Sequence, residues 1–476
     1  MNTPCFPAFR SRLAALGRRT VQSLRQATLG QLQEQIRDLL PAPLLSSEEE
    51  GPNSRERDFP LGLTFQCFLW QMLKPKTPCR EVVLQVQALR TLHGLSPISK
   101  GDSAYVQARL RLPKERLEKA LSATAQTADR RAGQNPQFQG RPIKVVDGSS
   151  TQLADTTPNQ KAYPQPGSQK PGCGFPVIKF VVLFSLCSGA VLNVLLGSLG
   201  QHDLRLLRGL WNELKKGDIL LGDRAYGEYT TLASLPNQGV DVVARLHQRR
   251  AVDFRKARRL GKNDGLFVWT KGCQQSKILS PDEWNLLPAQ ITVRILRFTT
   301  LIRGFRNRRV TLVTTLLDAE LYRAQELAAL YARRWRLELC LRDLKTTMGM
   351  EQLRCKTPEM AAKELLAYLV AHNLVRCLMA EAVAAHEVDL ERVSFKGSVD
   401  ALRQFSDAIS RAPNRKLRRQ LWEDLLLAIA RDLVPLRPNR LEPRAVKRRP
   451  KPYQLLNRPR HRMKEIQHRS KYRKNL

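Results

Sequence analysis

ALYARRWRLELCLRDLKTTMG, residues 329–349, combines a polar and an apolar face at the spacing of one α-helix. At about 100° per residue, five polar side chains fall within an arc of about 80°. They are Tyr331, Arg334, Glu338, Arg342 and Lys345. The apolar face beside them consists of Leu330, Leu337, Leu341, Leu344 and Met348. The segment therefore predicts a helix that packs by one face and shows a single carboxylate among cations.

The polar face of this helix has two explanations. Glu338 lies four residues from both Arg334 and Arg342, which is the spacing of solvated surface ion pairs. The same arrangement suits a carboxylate that acts on a negatively charged ligand. Features elsewhere in the chain are needed to distinguish a solvated surface from a ligand-binding one.

The chain carries a large excess of positive charge. Its 476 residues include 80 Lys and Arg against 43 Asp and Glu, a formal net charge of +37. Such a chain repels itself unless a polyanion neutralises it, and nucleic acid is the obvious polyanion. Hydrophobic residues make up 42% of the sequence and are spread along it, which indicates several folded domains and excludes a merely charged tail.

No transmembrane span or signal peptide is predicted. The longest apolar run, 177–199, is interrupted by Lys179, Asn193 and other polar or small residues, so it predicts two strands and a turn. The nine cysteines are scattered without a CxxC pair, which favours a reducing cytosol and argues against structural zinc. We therefore expect a cytoplasmic protein that has no membrane partner.

Residues 141–247 predict a mixed α/β sheet with helices on its faces, in the order β-β-β-α-β-α-β. The strand-like segments are 143–147, 176–188, 190–197, 218–223 and 240–246. About sixty polar and basic residues follow before the next β-branched run, so a β-rich inserted subdomain is predicted at 248–317. The glutamate helix and a long apolar helix at 358–386 complete the predicted core, 318–388.

Helical regions are predicted on both sides of this core. Residues 1–140 include a basic amphipathic helix at 9–41 and further helical segments at 65–92 and 103–124, with Pro113 expected to start a fresh helix inside the second. Short helices joined by tight breaks suit helix-turn-helix packing against DNA. Residues 389–476 predict a helical C-terminal region that ends in an extended basic tail.

Two aspartates terminate apolar runs in the predicted sheet. Asp147 precedes Gly148, and Asp223 ends a later run. The carboxyl ends of sheet strands are where α/β folds place their chemistry. Each aspartate also has a structural explanation, since Asp147 fits a turn and Asp223 can pair with Arg224. If the helix of Glu338 packs across the sheet, all three carboxylates meet at one site.

Three carboxylates at one site require a cation, because like charges raise each other's pKa. Oxygen-only ligands favour Mg²⁺ or Mn²⁺ over zinc. Two such ions, about 3.5 to 4 Å apart, suit in-line displacement at phosphorus. Arg334, Arg342 and Lys345 can then bind phosphate oxygens. The predicted chemistry is therefore reaction at a phosphodiester.

The sequence resembles the DDE transposases of the insertion-sequence-four group. The first aspartate lies in VVDGSS and the second in GDRAYG. The helix carries the spacing Y-(2)-R-(3)-E-(6)-K at Tyr331, Arg334, Glu338 and Lys345. The resemblance covers about residues 141–350 and implies an RNase H-like catalytic domain with a mainly β insertion. It also implies an N-terminal helical domain that binds transposon ends and a C-terminal part that helps pair them.

The resemblance further implies an activity. Members of the group cut transposon ends and join the 3′-hydroxyl to target DNA, some of them through a hairpin. The catalytic, metal-binding residues would be Asp147, Asp223 and Glu338, with two Mg²⁺ or Mn²⁺ ions. The residues on the end phosphates and terminal nucleotides would be Tyr331, Arg334 and Lys345. The implied partners are transposon-end and target DNA, with a homodimer in the synaptic complex.

Two tryptophans are candidates for stacking on a flipped base, Trp269 in the insertion and Trp335 beside Arg334. Packing in a core is the alternative for each indole.

Two other activities also fit the sequence. One is a metal-dependent nuclease of the same fold that cuts without rejoining. The other is a non-catalytic DNA-binding repressor derived from a transposase, against which the presence of all three carboxylates argues.

Overall fold

The structure is a computed structural model that describes residues 58–92, 94–133, 138–276, 278–299, 309–435 and 453–463. The predicted amphipathic helix at 9–41 and most of the predicted basic tail lie outside these residues. Within the described ranges, nine strands form one sheet, and helices cover both of its faces.

The strands are β1 (Ile143–Gln152), β2 (Val177–Ser185), β3 (Val191–Ser198), β4 (Ile219–Gly222), β5 (Asp241–Arg245), β6 (Arg258–Gly261), β7 (Asp264–Thr270), β8 (Gln290–Thr299) and β9 (Arg309–Thr314). The α-helices are α1 (Leu61–Leu73), α2 (Cys79–Leu92), α3 (Ser103–Arg111), α4 (Lys114–Ala132), α5 (Thr157–Ala162), α6 (Asp203–Leu210), α7 (Tyr229–Ser234), α8 (Pro281–Leu286), α9 (Ala324–Ala332), α10 (Trp335–Arg342), α11 (Pro358–His386), α12 (Phe395–Arg411) and α13 (Arg415–Arg431).

The strand order is β3-β2-β1-β4-β5-β9-β8-β7-β6. β1, β4 and β5 are parallel neighbours, whereas β2 is antiparallel to both β1 and β3. Successive residues of β1 point to opposite faces: Val145 packs in the larger core with α1, α4 and α11, and Val146 packs in the smaller core with α6 and α7. The prediction of a mixed sheet with helices on both faces is confirmed.

The strands of residues 258–314 extend this same sheet. β9 pairs antiparallel with β5, from Val243 opposite Thr314 to Arg245 opposite Leu312, and β8, β7 and β6 follow it outward. The inserted strands thus continue the sheet that β1–β5 begin. The physical reason is the edge of β5, whose backbone N–H and C=O groups would otherwise lack a neighbouring strand.

The longest helix of the described residues, α11, forms the centre of the larger core and has the predicted bounds. By length and composition it could cross a membrane, but 89% of its apolar window is buried inside the protein. Asn373 joins it to the sheet, because its amide accepts from the Val191 N–H and donates to the Val191 carbonyl, both at 2.8 Å. α11 is therefore the helix on which β3 and α4 pack.

The helix predicted over residues 65–92 is divided into α1 and α2. Pro75 and Pro78 lie between the two, and a proline cannot donate the backbone hydrogen bond that would continue α1. Pro113 precedes α4, so the predicted fresh helix does begin there.

Part of the predicted extended tail docks on the connection between β1 and β2. In residues 453–463, the guanidinium of Arg460 lies 2.6 Å from the Asp155 carboxylate. The Tyr453 hydroxyl lies 2.5 Å from the Ser150 hydroxyl on β1. This segment of the tail therefore lies beside the strand that carries the first predicted catalytic aspartate.

A buried ion pair fixes the inserted strands to the turn before α9. Arg294 on β8 is fully buried and donates to both carboxylate oxygens of Asp264 on β7, at 2.8 and 2.5 Å. Its remaining nitrogen donates to the carbonyl oxygens of Asp318 (3.1 Å) and Tyr322 (2.7 Å). One guanidinium thus joins two strands to the segment that leads into the glutamate helix.

Replacing Arg294 with Met should destabilise the protein strongly, because Asp264 then remains as a buried, unpaired charge. We expect the free energy of unfolding to fall by about 3 to 5 kcal/mol. Urea denaturation measures the change. The matched control is Arg255→Met, which removes the exposed ion pair with Asp253 and should leave the unfolding curve unchanged. Equal stability of the two variants would contradict the role given to the buried pair.

Candidate active site

The sequence predicted that the first strand ends at Asp147. In the structure, Asp147 lies within β1. β1 pairs with β4 only as far as Val145 opposite Leu221, but it continues along β2 to Gln152. Asp147 is therefore two residues past the last β1–β4 pair, and Asp223 is the first residue after β4. Both aspartates border the gap that opens where the shorter strand stops.

Each of these aspartates is held by a local backbone hydrogen bond. The N–H of Gly148 donates to Asp147 Oδ1, and the N–H of Ala225 donates to Asp223 Oδ1, both at 2.8 Å. Aspartate side chains commonly bind nearby backbone N–H groups in this way. The bonds restrict the rotation of both carboxylates.

The continuous helix predicted over residues 329–349 is wrong in detail, because the winding changes twice. α9 ends at Ala332, α10 follows, and Asp343–Thr347 form a π-helical turn. Between α9 and α10 the bonds shorten to i→i−3, as from the Leu337 N–H to the Arg334 carbonyl (3.0 Å). The five apolar side chains predicted to face the core are all buried, so the altered winding keeps that face on the core.

Arg334 connects two of the three predicted acids. Its Nη2 lies 3.0 Å from Glu338 Oε1, and its Nη1 lies 3.7 Å from Asp147 Oδ2. The same guanidinium lies 5.8 Å from the centre of the Tyr331 ring, within the range of a cation–π contact. The polar face of the glutamate helix therefore meets the sheet at the strand of Asp147.

Lys345 also reaches β1, whereas Arg342 does not contact the acids. The Lys345 ammonium donates to the Ser149 hydroxyl at 3.1 Å. The Arg342 guanidinium is exposed and lies 3.8 Å from the carboxylate of its neighbour Asp343. The structure thus brings Tyr331, Arg334 and Glu338 together beside Asp147. Lys345 contacts the same strand at Ser149, and Arg342 contacts neither.

The three acids act on one another electrostatically. Burial raises the pKa of Asp147 to about 6, against the opposing effects of Arg334 and the Gly148 N–H, while the charges of Asp223 and Glu338 raise it further. The charges of Asp223 and Glu338 thus both act on Asp147, and we call the region around these three carboxylates the acid pocket.

The acids of this pocket have the ligand chemistry of a divalent-cation site, but the structure does not bring them together as one. Carboxylate oxygens are the ligands that Mg²⁺ and Mn²⁺ prefer. In the described ranges, no three acidic, His or Cys side chains are close enough to share one ion, and Arg334 lies between Asp147 and Glu338. The buried Tyr226 hydroxyl, which has no hydrogen-bond partner among the described residues, lies near the same charges. The oxygen donors suit such an ion, and the guanidinium of Arg334 occupies the position between two of them.

Comparison with known proteins gives this arrangement a family. The family described as "Transposase DDE domain" matches residues 138–374. Over 423 residues the chain is 27% identical to transposase InsG for insertion sequence element IS4 of Escherichia coli K12, a match that covers 87% of this chain and 92% of that protein. This chain belongs to the DDE transposases of the insertion-sequence-four group. The RNase H-like fold class predicted from the resemblance is confirmed by this match together with the mixed sheet.

Two further proteins are similar to this transposase. The putative transposase InsL for insertion sequence element IS186A of Escherichia coli K12 is 38% identical over 66 residues, 14% of this chain and 18% of that protein. A chain of the piggyBac transposase synaptic complex with hairpin DNA, solved by cryo-EM, aligns with 83% of this chain and 84% of its own length. That alignment has 9% sequence identity and a TM-score of 0.41.

The two tryptophans considered for base stacking differ in exposure. Trp335, next to Arg334 in this transposase, is 47% exposed. Trp269 is only 8% exposed in the smaller core, and the guanidinium of Arg250 lies 3.9 Å from the centre of its ring. Trp335 is therefore accessible beside the acid pocket, and Trp269 packs within the inserted strands.

Sequence reasoning missed three features of the transposase site. Ser149 and Tyr226 both lie within the two quoted aspartate motifs, VVDGSS and GDRAYG, so the motifs contained the signal. The contact of Tyr453 with Ser150 joins residues 303 positions apart, and no local sequence pattern predicts it. Ser149 and Tyr226 could have been found as further polar residues of the two motifs. The contact of Tyr453 could not.

Asp343 gives the transposase a pH-dependent stability. Burial raises the pKa of Asp343 to about 6, against the opposing charges of Arg342 and Arg376. A raised carboxyl pKa means that its contribution to stability is complete below pH of about 4 and is lost as the pH rises through about 6. Asp343→Asn should therefore stabilise the protein by about 2 to 3 kcal/mol at pH 8 and very little at pH 4. Urea denaturation at both pH values measures this difference, and an equal effect at the two would contradict it.

Proposed function

We propose that this transposase binds the ends of an insertion sequence, cleaves them by metal-dependent hydrolysis of a phosphodiester, and joins the 3′-hydroxyl ends to target DNA. The observation that carries the proposal is the position of Arg334, whose guanidinium lies 3.0 Å from Glu338 and 3.7 Å from Asp147. Asp223 follows the neighbouring strand β4, and its charge, like that of Glu338, raises the pKa of Asp147. Cationic side chains of the same helix, Arg334 and Lys345, contact the pocket or its strand.

The catalytic residues in this proposal are Asp147, Asp223 and Glu338, which would hold two Mg²⁺ or Mn²⁺ ions. Such ions, when bound, activate an attacking water or 3′-hydroxyl and stabilise the leaving oxygen. With a pKa of about 6, Asp147 is mostly ionised at neutral pH and ready to act as a ligand. The Gly148 N–H keeps one of its oxygens in place while the other faces Arg334.

Arg334 and Lys345 are proposed to bind phosphates of the transposon end. A guanidinium is planar and donates parallel hydrogen bonds to phosphate as well as to carboxylate. Arg334 can therefore release Asp147 and Glu338 and bind a DNA phosphate in their place. Burial lowers the pKa of Lys345, although the charge of Glu351 opposes the shift. A nearby phosphate would offset that burial. Tyr331 stays over Arg334 and limits where the guanidinium can turn.

The partners proposed for the transposase are two transposon ends and target DNA. The net charge of +37 supplies sequence-independent attraction to all three. We propose a homodimer in the synaptic complex, because each protomer contributes one acid pocket and two ends must be processed together. The exposed Trp335 is the indole available to stack on a flipped terminal base.

Glu338→Gln should abolish cleavage and leave end binding intact, because it removes a carboxylate charge while keeping the shape of the side chain. A labelled end duplex with Mg²⁺ gives the cleavage readout, and a gel shift gives binding. The matched control is Glu326→Gln on α9, whose carboxylate only accepts a hydrogen bond from the exposed Gln139. Full cleavage by the Glu338 variant would refute the site. Pre-cleaved ends offered with target DNA distinguish a transposase, which joins them, from a nuclease, which does not.

Lys345→Gln should weaken binding of end DNA whatever its base sequence, and it should make that binding less sensitive to salt. Loss of one phosphate contact reduces the slope of log K against log salt by about 0.9. Fluorescence anisotropy over a range of KCl concentrations measures both quantities. The matched control is Lys396→Gln, an exposed lysine paired with Asp400 on α12. An unchanged slope for the Lys345 variant would show that its ammonium contacts no phosphate.

A further inference from the structure

Residues 453–463 of the basic tail, here called the docked tail segment, are bound to the connection between β1 and β2. The Leu456 N–H donates to the Cys173 carbonyl at 2.8 Å, and Leu455 forms an antiparallel bridge with Gly174. The segment therefore follows a defined path over the protein surface.

Arg460 anchors this segment. Its Nη1 and Nη2 donate to the carbonyl oxygens of Gly172 and Gly174, both at 2.7 Å, and its Nε donates to the Asp155 carboxylate at 2.7 Å. Hydrogen bonds from a charged group are stronger than those between neutral groups. All three nitrogens of this guanidinium are thus engaged with the protein, so the side chain holds the segment in place.

Arg458 and Arg462, on either side of this anchor, face solvent instead. Both are exposed, and neither forms an ion pair with another described residue. The only acid in residues 153–176 is Asp155, which Arg460 already neutralises. The same stretch adds two exposed lysines, Lys161 and Lys170. Such a surface suits a partner rich in phosphate.

The docked tail segment lies close to the acid pocket along β1. The Tyr453 hydroxyl contacts that of Ser150, three residues after Asp147, which is about 10 Å along a strand. Successive residues of a strand face opposite ways, so the segment and Asp147 lie on opposite faces of β1. Lys345 contacts Ser149 on the face of Asp147. Since β4 does not cover this part of β1, a ligand at its open edge would have cations on both faces.

The segment lies beside the acids without covering them. Among the described residues, none from 453–463 forms a hydrogen bond or ion pair with Asp147, Asp223 or Glu338. A positively charged segment that blocked the acid pocket would contact these carboxylates. Its position instead extends the cationic surface next to the pocket.

We infer that the docked tail segment binds the DNA that enters the acid pocket. Arg460 positions the segment, and Arg458 and Arg462 contact phosphates of the transposon end. The inference rests on the proposed function, which places the reacting phosphodiester at Asp147. Because about 10 Å corresponds to about three nucleotides of one strand, the contacted phosphates lie within a few nucleotides of the cleaved bond. DNA is then held from both faces of β1, by Lys345 on one and by these arginines on the other.

The double variant Arg458→Gln/Arg462→Gln of the full chain tests the two contacts. Their loss should weaken binding of a transposon-end duplex and reduce the slope of log K against log salt by about 1.8. Fluorescence anisotropy over a range of KCl concentrations measures both quantities. The matched control, Lys396→Gln/Arg419→Gln, removes two exposed cations that already form ion pairs on α12 and α13, and it should leave the slope unchanged.

Methylphosphonate substitution locates the contacts, because it replaces one phosphate of the end duplex at a time with an uncharged group. Replacement within a few nucleotides of the cleaved bond should weaken binding by the wild type and have much less effect on the double variant. Distant replacements should affect both proteins equally. Equal effects on the two proteins at every position would show that the arginines supply only general charge, and would overturn the inference.

Asp155→Asn separates the placement of the segment from its charge. The change removes a partner of Arg460 and raises the net charge of the protein by one. If docking places the arginines on the DNA, end binding should weaken and the position-dependent methylphosphonate effects should fade. Unchanged or tighter binding, with the same position dependence, would contradict the role of Arg460 as the anchor.

The inference and the proposed function can fail separately. An unchanged salt slope in the double variant, together with loss of cleavage in Glu338→Gln, would overturn the inference and leave the proposed function standing. Full cleavage by Glu338→Gln would overturn the proposed function and with it the role given to the segment.

Discussion

The site depends on the partial burial of Asp147 in the gap where β4 stops beside β1. Partial burial of Asp147 next to Asp223 and Glu338 disfavours its charged form, as the raised pKa shows. An arrangement of this kind costs stability unless cations lie close to the acids. Arg334 is such a cation, and its contacts with Asp147 and Glu338 tie the glutamate helix to the sheet. Charge balance, more than apolar packing, thus decides how the polar face of that helix meets β1.

Unequal strand lengths create this gap, and the inserted strands fix the helix that closes it. β1 has ten residues and β4 has four, so beyond Val145 the strand that β1 pairs with is β2, apart from a bridge between Gln152 and Gln352 at its end. A longer β4 would fill the space beside Asp147 with backbone. On the far side of the sheet, Arg294 binds the carbonyl oxygens of Asp318 and Tyr322 just before α9. The insertion therefore helps set the position from which the glutamate helix begins.

Local patterns predicted most of the elements, and contacts between elements account for what they missed. Apolar periodicity identified the five core strands, the bounds of α11 and the buried face of the glutamate helix, because those side chains enter the cores directly. The same reasoning ended β1 at Asp147, since the residues after it are polar. They remain in a strand because β2 pairs with them, and Ser149 is polar because it faces Lys345. The π-helical turn lies where Leu344 and Met348 are buried in the core. The periodicity of one helix contains no information on how its side chains fit against other elements.

The two cations beside the acids differ in a way that matches their surroundings. Arg334 is a planar fork that contacts two carboxylates at once, and the same geometry lets it bind a phosphate in their place. Lys179 is a point charge that also donates to the Gln201 carbonyl just before α6, so its two contacts tie β2 to the start of that helix. The guanidinium on the glutamate-helix face can exchange one planar anion for another, because its donors lie in one plane. The ammonium on the α6 face has no such match to a planar partner, so its pairing with Asp203 holds the helix against the sheet.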